Sequence, residues 1–413
     1  MTFVPVKIPP GVIRQATPYD SPNSWWDGSN VRWLSGAIMP IGGNTRITAQ
    51  PLSAKVRALF KWRDNAAREW AAIGTEAGVS VLFGSLADVT PSGFVSMNAV
   101  SGGGYGSLAY NIEDYGDARS TNPPIFRKPD HWSFASFGED LLGVCSSDGR
   151  LLHLAPTTGV IPAMDVPSNA PTGNVGVAVT AERSVMLMGA GGNPRRIAWS
   201  DLENYNGWTF NTTTGQAGYI DLEAASPIIT GVRVKEGILV LTQHEAFLVR
   251  YVGAPYFYGV EKLGSTTFSS PNAIASGGSM TVWFGEEGFW RYDGGAIRLL
   301  PCPMWNDIKN NYDPLYGNYR SHMHENGAYP EFWFDYPDTH SSDGECNNYV
   351  IWNYSENFWI KGVRARTAAY GAVTANYPIA AGTDNNVYQH EDGWTDSGVS
   401  RVGQVYAESG AIQ

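Results

Sequence analysis

The stretch KEGILVLTQHEAFLVRYVG, from Lys235 to Gly253, decides the fold. Ile238 to Leu241 form a short apolar run, Gln243, His244 and Glu245 make a polar turn, and Ala246 to Val252 form a second run that carries Tyr251. Short apolar runs joined by polar turn residues read as two strands of a hairpin. The unit recurs as REWAAIGTEAGVSVLFGS from Arg68, SFGEDLLGVCSSDGRLLHLAP from Ser136 and RSVMLMGAGGNPRRIAWSD from Arg183. GSMTVWFGEEGFWRYDGG from Gly278 and YPIAAGTDNNVYQHEDG from Tyr377 repeat it again. Between those two lies a meander, EFWFDYP from Glu331, NNYVIWNYS from Asn347 and NFWIKG from Asn357. That makes seven blade-like units, several at the spacing of about 40 to 50 residues that β-propeller repeats show. The expected fold is all-β, a β-propeller of about six or seven blades; a two-sheet sandwich would show the same hairpins without radial closure.

Composition agrees with many short strands. The 413 residues include 47 Gly, 25 Pro and 15 Trp, and Gly and Pro interrupt long helices. Only 16% are charged, so the surface is neutral enough to be covered by neighbours. A net charge of -11 excludes the basic excess that neutralises phosphates in ordinary nucleic-acid binders. Cys145, Cys302 and Cys346 are odd in number, far apart and without a C-x-x-C pair, which predicts buried free thiols rather than disulfides or structural zinc. The first twenty residues lack a signal-peptide pattern, which predicts synthesis in the cytoplasm without membrane insertion.

Two segments break the rhythm. Residues 1–50 carry PPGV and the pair Trp25 and Trp26 but few alternating strands, and read as an extended N-terminal arm and packing segment on a body spanning 51–413. Residues 96–130, with SGGGYG and DARSTNPP, read as a surface insertion. PMWNDIKNNY after Pro303 is the best short helix.

Reactive constellations are thin. His322 and His324 sit two apart, on one face of a strand, a geometry that can hold a metal; without a third ligand at normal spacing they read as exposed or hydrogen-bonded histidines. GAGGNPRR, Gly189 to Arg196, lacks the G-K-[ST] ending of a phosphate loop and reads as a hairpin turn. Glu286 with Glu287, Asp384 near Glu391, and Glu331 with Asp335 are the carboxylate pairs a glycosidase would need, and also the ordinary acids of solvated turns. Trp70, Trp199, Trp283 and Trp290 alternate with apolar residues and are expected in the core. Trp25, Trp26 and Trp33, with Arg14, Arg32 and Arg46, are expected at an oligomer or partner interface. No catalytic residue, cofactor or metal is expected.

The arm IPPGVIRQATPYDSPNSWWDGSNVRWLSGAIMPIGG resembles the N-terminal signature of the tail nozzle, or tail-stabilisation (head-completion), proteins of short-tailed bacteriophages. There a PPG start precedes W-x-[DN] and VRW-x-x-G-x-x-x-P-x-GG. WAAIGTEAGVSVLF, HWSFASFGEDLLGVCSSDGRLLHLAP, MGAGGNPRRIAWSD, YVGAPYFY, FWRYDGG and LPCPMWNDI follow in the same order, so the resemblance spans nearly the whole chain. It implies a non-enzymatic virion subunit, made in the host cytoplasm, that forms a homo-hexameric ring at the distal end of the tail. It implies as partners the head-to-tail adaptor, tail spikes or fibres, a needle or plug, and double-stranded DNA passing without sequence-specific binding. The net negative charge then predicts an acidic ring lumen that repels the polyanion. The alternative, from a different class, is a carbohydrate-binding or glycan-cleaving propeller.

Overall fold

The computed structural model describes residues 7–14, 17–96, 129–210, 215–371 and 377–412. Most of the expected insertion at 96–130 lies outside them. Seven antiparallel sheets follow one another along the chain. Their first strands are Val56–Arg63, Trp132–Phe137, Gly176–Val179, Ile228–Val234, Ile274–Gly277, His322–Asn326 and Ala368–Tyr370. Each first strand touches the next, and the seventh touches the first. The chain is therefore a closed seven-bladed β-propeller, with these strands innermost around an axial cavity of about 410 Å³. Six blades have four strands; in blade 2 the fourth place is taken by a single bridge, His153 to Asp165.

The six hairpins read from the sequence are the second and third strands of their blades, and the meander is the second to fourth strands of blade 6; the second strands are buried on both faces. Trp70, Trp199 and Trp283 are core residues and Trp290 is half-buried. The helix expected after Pro303 spans Trp305–Asn311, and a second, Pro314–Arg320, follows it with Asp313 as its N-cap. No helix among the described residues is long and apolar enough to cross a membrane.

Ring closure comes from the first fifty residues. Asn44–Arg46 pairs with Val387–His390 as the outer strand of blade 7, in register Gln389 to Thr45, so the closing strand lies on the arm side of residue 50. Trp25–Ser29 pairs with the C-terminal strand Tyr406–Ser409, and the Val12 amide donates to the Trp359 carbonyl on the outer strand of blade 6 at 2.7 Å. Gly43 is required here, because a Cβ would overlap the Thr395 carbonyl oxygen.

Candidate functional site

Apolar clusters fill six of the seven seams between blades. Among the described residues no apolar cluster spans the seventh seam, between blades 6 and 7, where ions lie over the buried rings of Trp333 and Tyr349. Along Glu331–Tyr336, the second strand of blade 6, Phe332 and Phe334 face blade 5, and Phe334 stacks on Phe284 at 4.3 Å. Strand alternation sends Glu331, Trp333 and Asp335 to the opposite face, toward blade 7.

Asp335 is fully buried and accepts a two-pronged bond from Arg364, 2.8 Å to Oδ1 and 2.7 Å to Oδ2. Burial alone would raise its pKa; the Arg364 guanidinium outweighs that and holds it below the usual carboxylate range. Arg364 also reaches His390 Nδ1 at 3.2 Å, while Arg366 Nε reaches His390 Nε2 at 3.1 Å. A neutral imidazole has one acceptor nitrogen, so only one of these can be a hydrogen bond. Burial first, then the two guanidinium groups, push the His390 pKa well down, and burial with Arg364 lowers Arg366 to about 10.

Arg32 forms the second half of the seam. It is wholly buried, bonds both oxygens of Glu331 at 3.0 and 2.9 Å, and bonds Glu391 through NH1 at 3.0 Å and NH2 at 2.5 Å. The Tyr329 ring covers it at 3.6 Å. Burial opposes the charge on Arg32, but the two carboxylates raise its pKa; burial lifts that of Glu331 although Arg32 opposes it. One residue of the arm thus joins blade 6 to the segment leaving blade 7. Arg57 in blade 1 plays a similar part, with both oxygens of Glu345 at 2.8 and 2.9 Å and Glu76 at 2.7 Å.

These contacts correct several expectations. Arg32 and Trp33, expected at an outer interface, are 0% and 1% exposed and are used inside the chain, Trp33 against Phe358 at 6.0 Å. Trp25 and Trp26 are half-buried, Trp25 against Trp33 and Trp26 under Arg14. His322 and His324 are both buried rather than exposed, and His322 is the hydrogen-bonded one, its Nδ1 3.3 Å from the Arg320 carbonyl oxygen. His322 Nε2 and His324 Nδ1 have no hydrogen bond and lie 3.5 and 3.9 Å from Asp335 Oδ2, beyond good hydrogen-bond length. Burial drives both pKa values down, His324 to about 3, so both rings are neutral. No group of three or more metal-ligating side chains occurs among the described residues.

Two of the three carboxylate pairs are separated by their partners. Glu331 is held by Arg32 and Asp335 by Arg364, neither facing solvent; Glu391 belongs to the Arg32 cluster; Asp384 accepts from Tyr388 and Asn386; Glu286 and Glu287 are exposed. Burial raises the thiols of Cys145 and Cys302 to about 11 and about 12 and that of Cys346 well above its ordinary value, so none is a ready nucleophile.

The outer surface holds a different kind of candidate. The third and fourth strands of blade 4, Glu245–Gly253 and Phe257–Ser265, are nine residues each and extend beyond the core. At the tip of that hairpin Tyr251, Val252, Ala254, Pro255 and Tyr256 are all exposed, Tyr256 by 77%. Below them Tyr251 packs edge-on against Tyr258, which packs on Trp199 of blade 3.

No family model and no curated protein matches the chain. Among solved structures it is similar to a virginiamycin B lyase from Staphylococcus aureus, 12% identical, TM-score 0.47, covering 84% of this chain and 97% of that one. The Pan2 WD40 domain of Neurospora crassa is 8% identical, TM-score 0.47, over 85% of this chain and 96% of that one. The Cps50 (Swd1) β-propeller domain of Myceliophteria thermophila is 8% identical, TM-score 0.47, over 84% and 98%. Likenesses at this level carry nothing about activity.

Proposed function

We propose that the chain is a non-enzymatic structural subunit of a short phage tail, forming a hexameric distal ring that retains and then conducts the genome and docks other tail proteins. The observation that carries the reading is the blade 4 hairpin tip. It falls within YVGAPYFY, one of the segments that resemble nozzle proteins, and presents Val252 and Tyr256 to solvent above Tyr251, which is part-exposed where it packs on Tyr258. Exposed rings on a stiff hairpin are what a partner surface uses to gain area at low entropic cost. The arm signature supports the reading less directly: Gly11, Arg32 and Gly43 act inside the chain, locking the ring of blades. The adaptor above and the spikes, fibres or needle beside the ring are the partners this role requires, and the DNA it passes is not gripped by sequence. Its place is the virion tail, after assembly in the host cytoplasm. The glycan-cleaving alternative needs two facing carboxylates; Glu331 with Asp335 and Asp384 with Glu391 are taken up by other partners, and Glu286 with Glu287 are adjacent residues exposed in a turn.

The test is the mass of the purified protein by light scattering with negative-stain imaging, alone and mixed with tail fractions lacking it. A ring of six, in either condition, is expected, and Tyr256→Asp is expected to prevent it while leaving the circular dichroism unchanged. A persistent monomer that binds or hydrolyses glycan and never joins particles overturns the proposal.

A further inference from the structure

The axial cavity has two unlike walls. On one side, the first strands of blades 7, 1 and 2 bring Tyr370, Phe60 and Phe134 into a row, with ring centroids 5.2 and 6.4 Å apart. All three rings are half-buried and line the cavity. The Tyr370 hydroxyl has no hydrogen-bond partner among the described residues, although burial pushes its pKa up to about 12. The remaining wall includes the first strand of blade 4, whose exposed Arg233 makes no ion pair or hydrogen bond among the described residues.

Other charged groups at the cavity are already engaged. Arg57 is held by Glu345 and Glu76; the Glu325 carboxyl accepts from the Tyr354 hydroxyl at 3.2 Å, and burial raises its pKa. His322 and His324 are neutral. What remains is a row of π faces and one unopposed positive charge, in a volume within the range of about 300 to 1,000 Å³ that small-ligand sites occupy.

We propose that the axial cavity binds a small aromatic anion, its ring against Phe60, Phe134 and Tyr370 and its carboxylate or sulfonate toward Arg233. The site is internal to one chain and stands whether or not six copies assemble. A ring face meets the aromatic row edge-on or offset, and the anion gains a guanidinium that otherwise faces only water.

The probe is 8-anilinonaphthalene-1-sulfonate, titrated by fluorescence into the full chain, with uncharged N-phenyl-1-naphthylamine as its control. Saturable binding of one probe per chain is expected. Arg233→Gln, an exposed change that leaves the core intact, should weaken the sulfonate about fivefold and leave the neutral analogue unchanged, the effect of one partly screened charge. Phe60→Leu should weaken both, and Tyr256→Ser, on the distant hairpin, neither. Unsaturable binding, loss of binding in Tyr256→Ser, or a sulfonate affinity indifferent to Arg233→Gln overturns the site. Since Arg233→Gln is read against the wild type with two probes, a fold defect in Phe60→Leu does not rescue the proposal.

Discussion

The seam between blades 3 and 4 and the seam between blades 6 and 7 do the same geometric job with opposite chemistry. The first packs Met186, Met188, Ile197, Trp199, Val240 and Tyr258 together, and its buried polar contact is the Thr180 hydroxyl against the Tyr258 hydroxyl at 3.0 Å. The second is built from Arg32, Glu331, Glu391, Asp335, Arg364 and His390. Apolar packing is non-directional and tolerates small slips between sheets; a two-pronged guanidinium-carboxylate bond fixes position and partner but loses much of its gain to desolvation. Blades 6 and 7 are neighbours in sequence, but in their seam Arg32 of the arm must find Glu331 and Glu391, 299 and 359 residues further on. Directional contacts there specify where the arm docks beside blade 7, whereas the seam between blades 7 and 1, equally remote in sequence, closes on apolar residues such as Leu59, Ile73, Ile379 and Val387.

If that contrast holds, Arg32→Ala should be the most damaging single change. It leaves two carboxylates facing each other without a cation, and breaking a buried pair from one side costs about 3–5 kcal/mol. Denaturant unfolding measures this; a loss below about 1 kcal/mol would mean the arm closes the ring by packing alone. Acid should act on the same seam. His322, His324 and His390 all have pKa values below the ordinary 6.5, with burial the leading cause. The folded rings therefore stay neutral while the unfolded chain takes up protons near pH 6.5. Stability is whole above that value and falls as the pH drops below it, most through His324 and His390, whose pKa values are depressed furthest. Unfolding midpoints compared at pH 7.5, 6.5 and 5.5 should show this fall, and His324→Gln should shrink it. A flat profile between pH 6.5 and 5.5 would remove the seam from any account of acid sensitivity.

The two seams also differ in how far the sequence discloses them. Second strands such as Gly237–Thr242 are buried on both faces, so they stand out as apolar runs, and the six hairpins and the meander were legible for that reason. Outer strands such as Gly218–Asp221, GYID, are half-exposed edges with little apolar pattern, and inner strands such as Ile228–Val234, IITGVRV, mix glycine and a cation with β-branched residues. The ionic seam was illegible. Arg32, Glu331 and Glu391 are remote in sequence, and a charged residue in a turn-rich arm reads by default as surface. Trp33 was misplaced with it, because its partner Phe358 lies at the far end of the chain. The adjacent glycines Gly42 and Gly43 were the available signal, since both sit where another segment's backbone approaches closely.

The apolar seam supplies the matching controls. Met188→Ala, at a fully buried position between blades 3 and 4, should cost about 3 kcal/mol through lost contacts and a residual cavity. Its loss should be the same at pH 7.5 and 5.5, since no titrating group adjoins it in that cluster. A loss that grew with acid would show that damage to any seam opens the ionic one.

Tyr258→Phe is the finest probe of the contrast. It removes the hydroxyl that meets Thr180 and leaves the ring against Trp199 and Tyr251, so the expected loss is one buried hydrogen bond, about 1 kcal/mol. Thr180→Val alone should cost a similar amount, because it strands the Tyr258 hydroxyl. The double change replaces both polar groups with apolar ones and should cost less than the two single losses added together. The same cycle on Asp335→Asn and Arg364→Met should couple more strongly, because there a full charge is stranded. Should the two cycles return equal coupling, the ions of this seam would be no more specific than a neutral contact, and the reason offered for them would fail.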